Sequence, residues 1–214
     1  MRGCERPEVW RFRRRQTHYL SVAFHRRHLP HIHELGQPIF LTWRLRGSLP
    51  PNRVFPQTIM TAGQAFVQMD RLLDETRQGH FYLRRRGIAD MTVEAIRFNA
   101  EELGHYRLHA YAVMPNHVHL LATPQIPLSG LTRSLKGITA KRANLILGLT
   151  GQPFWQEESY DHLVRSSDEF LKITSYIEEN PVRAGLVAKP WEYAWSSAFV
   201  PNGEAARIEG PVVL

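Results

Sequence analysis

The chain has 214 residues, 43% of them hydrophobic, with a single cysteine, Cys4; it is long enough for one sizeable core and excludes an internal disulfide framework or a Cys-rich zinc site. No apolar run approaches a membrane span, and the opening "MRGCERPEVWRFRRRQ" has no apolar stretch behind its arginines, so a soluble, cytoplasmic protein without membrane contact is expected. The formal net charge of +7, with arginines clustered in "RFRRR" (11–15), "HRRH" (25–28) and "LRRRG" (83–87), points to a polyanionic partner, nucleic acid first.

In chain order, residues 1–36 read as a basic arm that orders on packing or binding, 37–200 as one domain and 201–214 as a tail. "QPIFLTWRLRG" alternates as a strand, with Ile39, Leu41, Trp43 and Leu45 on one side and Phe40, Thr42, Arg44 and Arg46 on the other. "TIMTAGQAFVQMDRLLDETRQG" has helical spacing and ends at Gly79, and "ADMTVEAIRFNAEELG" is a second helix with Asp90 as its cap. "YRLHAYAVMPNHVHLLATP" reads as two strands joined at Pro115-Asn116. "LSGLTRSLKGITAKRANLILG" is a third helix, capped by Ser129, with Arg133 and Lys136 on its exposed side. "WQEESYDHLVRS" supplies a further strand. A fourth helix starts at Ser166 or Ser167 and stops near Asn180, because Pro181 disfavours helical geometry in the residue before it. Strands mixed with helices, including a tight hairpin, predict an α+β sheet with helices packed on one face.

"NHVHL" carries His117 and His119. With 11 histidines in the chain, roughly half an H-x-H is expected by chance, and "PHIHE" supplies another, His31 and His33. On a strand, however, residues i and i+2 share a face, so His117 and His119 point together as a bidentate imidazole clamp would require. The alternative is a half-buried pair bonded to backbone carbonyls. A third ligand must come from elsewhere. In "FLKITSYIEENPVRAG", Tyr176 and Asn180 stand one turn apart on one helical face. An amide oxygen suits Mg²⁺ or Mn²⁺, and a phenol beside that cation is a nucleophile toward phosphate; equally, Tyr176 fits as a packing residue against the sheet.

"YAVMPNHVHLLATP", "FWQEESYDHLVRSSDEFLKITSYIEENPVRAGLV" and "WEYAWSSA" together resemble the REP-associated tyrosine transposases, HUH single-strand nucleases with one catalytic tyrosine. The likeness runs from about residue 28 to 199. It implies a ferredoxin-like antiparallel sheet with the catalytic tyrosine on a C-terminal helix. The nucleophile falls on Tyr176, the metal ligands on His117, His119 and Asn180, and the cofactor is Mg²⁺ or Mn²⁺. The tyrosines Tyr160 and Tyr193 have no amide or carboxylate four residues on, so they are weaker nucleophile candidates.

The implied substrate is single-stranded DNA folded into palindromic, REP-like hairpins, cut and rejoined through a 5′-phosphotyrosine by a monomer or a homodimer. Arg133, Lys136, Arg84, Arg85, Arg86 and the arm are the expected phosphate contacts. Two rivals remain: a non-catalytic hairpin DNA- or RNA-binding module of the same fold, and a metal-binding arm using His25, His28, His31 and His33.

Overall fold

The computed structural model describes residues 25–27, 29–31, 35–49, 62–76 and 79–201. Most of the expected arm, including His28 and His33, and the tail from residue 202 lie outside the described residues. The elements are β1 (His25–Arg27), β2 (Leu29–His31), β3 (Ile39–Arg44), α1 (Ala62–Glu75), α2 (Arg86–Glu101), β4 (Tyr106–Val113), β5 (His117–Pro124), α3 (Leu128–Leu147), β6 (Tyr160–Leu163) and α4 (Ser167–Arg183). Strands β1 and β2 form a small antiparallel ladder, and the main sheet has the order β4-β5-β3-β6 with every pair antiparallel.

Both faces of this sheet are apolar, so both are covered. Ile39, Leu41, Trp43 and Leu45 point with Val118, Leu120 and Ala122 into a core closed by Ile88 and Ile96 of α2 and Leu131 and Leu135 of α3. The sequence predicts one helical layer without saying which helices form it. On the other face, Phe40, Ala110, Ala112 and Leu121 meet Phe66 of α1 and Ile177 of α4, which adds a second layer. Every residue of β5 is buried, a pattern that belongs to a strand covered on two sides rather than one.

The β4–β5 hairpin turns through Met114, Pro115 and Asn116, closed by Met114 N–H donating to His117 O at 2.9 Å. "FWQ" is pinned to the end of β3, with Arg46 N–H donating to Phe154 O at 2.9 Å, Gln156 N–H to Arg44 O at 2.8 Å, and Trp155 Nε1 to Thr139 Oγ1 at 2.9 Å. "WEYAWSSA" covers the outer edge of β4: Val113 N–H donates to Trp195 O, Ser197 N–H to Tyr111 O, and the Tyr193 hydroxyl to Val113 O. An open edge strand invites pairing with other chains, and this segment satisfies part of it.

Helix ends differ from expectation in three places. Asp90 lies inside α2, where it accepts from Trp195 Nε1 at 2.8 Å, rather than capping it. The N-cap of α3 is Pro127, which leaves Ser129 in the first turn. Ser166 caps α4 as expected, accepting from Glu169 N–H, but the helix runs through Pro181 to Arg183; Pro181 lacks one N–H, and the capping bonds to Asn180 O and Val182 O hold the last turn. Gly79 lies beyond α1 at φ +92, where a Cβ would stand 2.5 Å from Gly47 O, so a side chain is excluded there on two grounds.

A bulge at His109 interrupts β4, and the ring packs on Phe170 and bonds to Thr123 Oγ1 at 2.8 Å. Burial, with a smaller push from Arg107, lowers its pKa to about 4. The folded chain therefore keeps the neutral ring while the unfolded chain, titrating near 6.5, takes the proton first. That contribution is complete above about pH 6.5 and is lost as pH falls toward 4. Discounted for the ring's partial exposure, the loss is about 1–2 kcal/mol. The urea midpoint is expected to drop between pH 7 and 4.5, and His109→Gln to reduce that drop.

Candidate metal centre and tyrosine

The registers that pair β3 with β5 set Thr42 opposite His119 and Arg44 opposite His117. Both imidazoles project to the α1/α4 side and are 0% exposed. The amide of Asn116 is oriented by its Nδ2 donating to Leu73 O at 2.9 Å, so its oxygen faces His117 Nδ1 at 2.6 Å. An amide oxygen only accepts; the hydrogen-bond network thus assigns the ring proton to Nδ1 and a lone pair to Nε2. His119 Nδ1 is held by Thr42 Oγ1 at 2.8 Å. The two Nε2 atoms face each other at 3.0 Å.

Helix α1 brings in a residue that the sequence pattern does not single out. Asp70, 1% exposed, places Oδ1 3.2 Å from His119 Nε2 and 3.5 Å from His117 Nε2. From α4, Asn180 donates Nδ2 to Asp70 Oδ2 at 3.1 Å and lies 3.2 Å from His119 Nε2, while the Tyr176 hydroxyl donates to Asp70 Oδ2. One turn along α1, Asp74 Oδ1 is 3.9 Å from His117 Nε2. The structure thus brings His117, His119, Tyr176 and Asn180 together and adds Asp70.

Burial and neighbouring charges set the protonation states in the pocket. Burial opposes ionisation of Asp70, but the adjacent His119 and His117 imidazoles and the hydrogen bond from Tyr176 outweigh it and hold the carboxyl well below the usual range. Burial, the neighbouring His119 and, in the opposite sense, Asp70 leave His117 at about 3, so it stays neutral. Asp74 is pushed up to about 7 by burial and the charge of Asp70. The Tyr176 phenol is raised far above its ordinary value by burial and then by Asp70.

Asp70 Oδ1, Asp74 Oδ1 and Asn180 Oδ1 are buried without a hydrogen-bond partner among the described residues. Converging lone pairs and orphaned oxygens of this kind suit a cation. Among the described residues, Asp70, His117 and His119 are a group able to hold a metal ion, and the mixed nitrogen and oxygen donors fit a divalent cation.

The two rival tyrosines make other contacts. Tyr160 stacks on Phe66 at 4.2 Å from β6, and Tyr193 donates to a strand carbonyl. Of the expected phosphate contacts, Arg84, Arg85, Arg86 and Arg133 are exposed. Lys136 points inward instead: its ammonium donates to Gln156 O at 2.7 Å, Glu157 O at 2.8 Å and Ser159 Oγ at 3.2 Å. None of these five side chains reaches the buried cluster. Asp70 was legible only as an acid on the apolar stripe of Phe66, Met69 and Leu73, a position where an unpaired charge is rare.

A buried two-histidine, one-carboxylate group on an antiparallel sheet, with a tyrosine bonded to that carboxylate, defines a candidate divalent-cation centre beside a potential oxygen nucleophile. Residues 76–180 match the family model described as "Transposase IS200 like", a span that includes both histidines, Tyr176 and Asn180 and begins after Asp70. Through that span the chain belongs to the IS200-like transposases.

Its fold is similar to that of a REP-associated tyrosine transposase bound to a REP hairpin, with 19% identity over 81% of each chain and a TM-score of 0.50. A putative transposase from Deinococcus radiodurans R1 is 21% identical over 73% of this chain and 98% of the other, at a TM-score of 0.40. No curated protein matches. Among the described residues no helix is long and apolar enough to cross a membrane.

Proposed function

We propose that the protein is a metal-dependent single-stranded DNA endonuclease and strand transferase that acts on palindromic hairpins through a 5′-phosphotyrosine at Tyr176, working as a monomer or a homodimer. The observation that carries this reading is Asp70, whose Oδ1 joins the two Nε2 atoms while its Oδ2 accepts from the Tyr176 hydroxyl. One carboxylate thereby ties the cation-binding group to the nucleophile. The hairpin in the similar structure supports the choice of substrate.

His117, His119 and Asp70 would hold the ion, with the orphaned Asn180 oxygen in reach after a turn of its amide. A bound Mg²⁺ or Mn²⁺ supplies positive charge that offsets Asp70 and polarises a phosphate. Tyr176 Oη attacks phosphorus as its proton passes to solvent by way of Asp70 Oδ2, the new O–P bond replaces the P–O3′ bond, and the 3′-oxygen leaves as a hydroxyl with a proton from solvent. Asp70 orients the phenol. The phosphodiester energy is kept in the tyrosyl link, so attack by another 3′-hydroxyl rejoins strands without a nucleotide cofactor.

The test is incubation of the protein with labelled single-stranded hairpins and Mn²⁺ or Mg²⁺, followed by a denaturing gel. A covalent protein–DNA band that chelator abolishes is expected, with part of the hairpin binding kept in chelator. Hairpin binding with no adduct under any metal would overturn the nuclease in favour of a binding module.

Salt dependence separates the surface arginines from Lys136. Neutralising Arg84, Arg85, Arg86 or Arg133 to Gln is expected to flatten the plot of log affinity against log salt by about 0.7 for each phosphate that is no longer neutralised. Lys136→Met, which strips the donors from three acceptors, should lower the melting midpoint and leave the slope unchanged.

A further inference from the structure

The continuation of α4 past Pro181 has a chemical consequence. Arg183 falls seven residues after Tyr176 and three after Asn180, so all three side chains share one stripe of the helix. Its guanidinium lies over the Tyr176 ring at 4.0 Å from the centroid, and one N–H donates to the Tyr176 carbonyl at 2.8 Å. The side chain is exposed. An arginine in a last helical turn needs only to point toward the carbonyl end to complement the dipole; this one folds back two turns onto the tyrosine. The ring and the carbonyl fix the plane of the guanidinium, and the carbonyl takes one of its five N–H donors.

We propose that Arg183 binds the non-bridging oxygens of the phosphate that Tyr176 attacks, and then those of the tyrosyl phosphodiester, from the solvent side of the nucleophile. The proposal rests on Tyr176 acting as the nucleophile. The phosphate would lie between the exposed guanidinium and the buried His117/His119/Asp70 group, which would be positive with a divalent cation bound. When Oη–P forms and P–O3′ breaks, the phosphorane carries one more negative charge than the diester before or after it. Arg183 meets that charge with fixed donors and keeps all its protons, so no co-reactant is needed. Planar stacking on the ring is a property of arginine that lysine cannot reproduce.

The experiment is single-turnover cleavage at saturating hairpin with Mn²⁺, comparing the unaltered chain with Arg183→Gln, Arg183→Lys and Arg183→Ala. Arg183→Gln is expected to lower the cleavage rate constant about 100-fold, with the reaction amplitude and Mn²⁺ affinity within about twofold of the unaltered chain. Arg183→Lys, which keeps the charge and the helix-end interaction, should recover part of the rate, and millimolar guanidinium should accelerate Arg183→Ala. A merely structural role predicts a loss of amplitude and melting midpoint with the rate constant intact; that result overturns the proposal, as does Arg183→Lys at full rate with no effect of guanidinium. If Arg183→Gln does not fold, the Arg183→Lys rate and the guanidinium response decide. Absence of any adduct from the unaltered chain would overturn the nucleophile and this proposal together, whereas a normal adduct rate in all three variants would overturn this proposal alone.

Discussion

Tyr176→Phe is expected to abolish strand scission and the covalent adduct together while leaving fold, metal affinity and hairpin affinity in place. Only the hydroxyl oxygen is removed. The ring keeps its packing on Phe40 and Phe66 and its cover by Arg183, and Asp70 Oδ2 still accepts from Asn180 Nδ2 at 3.1 Å. The hydrogen bond to a charged acceptor that the variant lacks is worth about 1.5–3 kcal/mol at most, offset in part because Phe is easier to bury. A denaturing gel checks the adduct and a Mn²⁺ titration checks the site. An adduct that persists in Tyr176→Phe would move the nucleophile elsewhere, with Tyr160 next to examine; a variant that unfolds would make the phenol a core hydrogen-bonding group.

Asp70→Asn is expected to fail in the opposite way. It keeps the shape of the side chain and removes the anionic oxygens, so Mn²⁺ affinity should fall about 100-fold while Tyr176 is still present. Calorimetric titration measures the affinity, and the rise in melting midpoint on adding Mn²⁺, which follows the affinity by mass action, should shrink with it. His119→Ala should lose metal affinity too, but it also leaves a cavity and strips Thr42 of its partner, costing about 1–3 kcal/mol of stability even without metal. Asp70→Asn binding Mn²⁺ as tightly as the unaltered chain would remove Asp70 from the ligand set and leave the histidines with Asn180.

Several parts of this site were readable because they are local. Period-two alternation makes "IFLTWR" a strand and assigns Thr42 to the face opposite Trp43; the same alternation points His117 and His119 one way. One helical turn separates Tyr176 from Asn180, and the cap at Ser166 marks where that helix begins. Within such stretches backbone geometry alone fixes which side chains are neighbours.

Long-range neighbours were not readable in this way. Asp70 meets Tyr176 across 106 residues and Asn180 across 110, and the spacing of "QMDRLLDE" puts its acid on the apolar stripe without saying that a histidine pair faces it. Lys136 reads as an exposed helical cation, yet the "FWQEES" segment folds against it and takes its donors. Arg183 stays out of sight in the sequence for a different reason: a helix expected to stop before Pro181 places it beyond the end, away from the tyrosine face.

By itself, then, the sequence determined the four strands of the main sheet, the hairpin, the two-histidine face, the tyrosine-to-asparagine turn and, through its motifs, the transposase family, but not the β1–β2 ladder inside the expected arm. Tertiary structure decided that α1 and α4 cover the histidine face, that Asp70 joins the cluster, and that Lys136 turns inward. The physical reason is that periodicity records which way a residue points from its own backbone, whereas the charge or lone pair it meets there belongs to another element, and only packing brings the two within bonding distance.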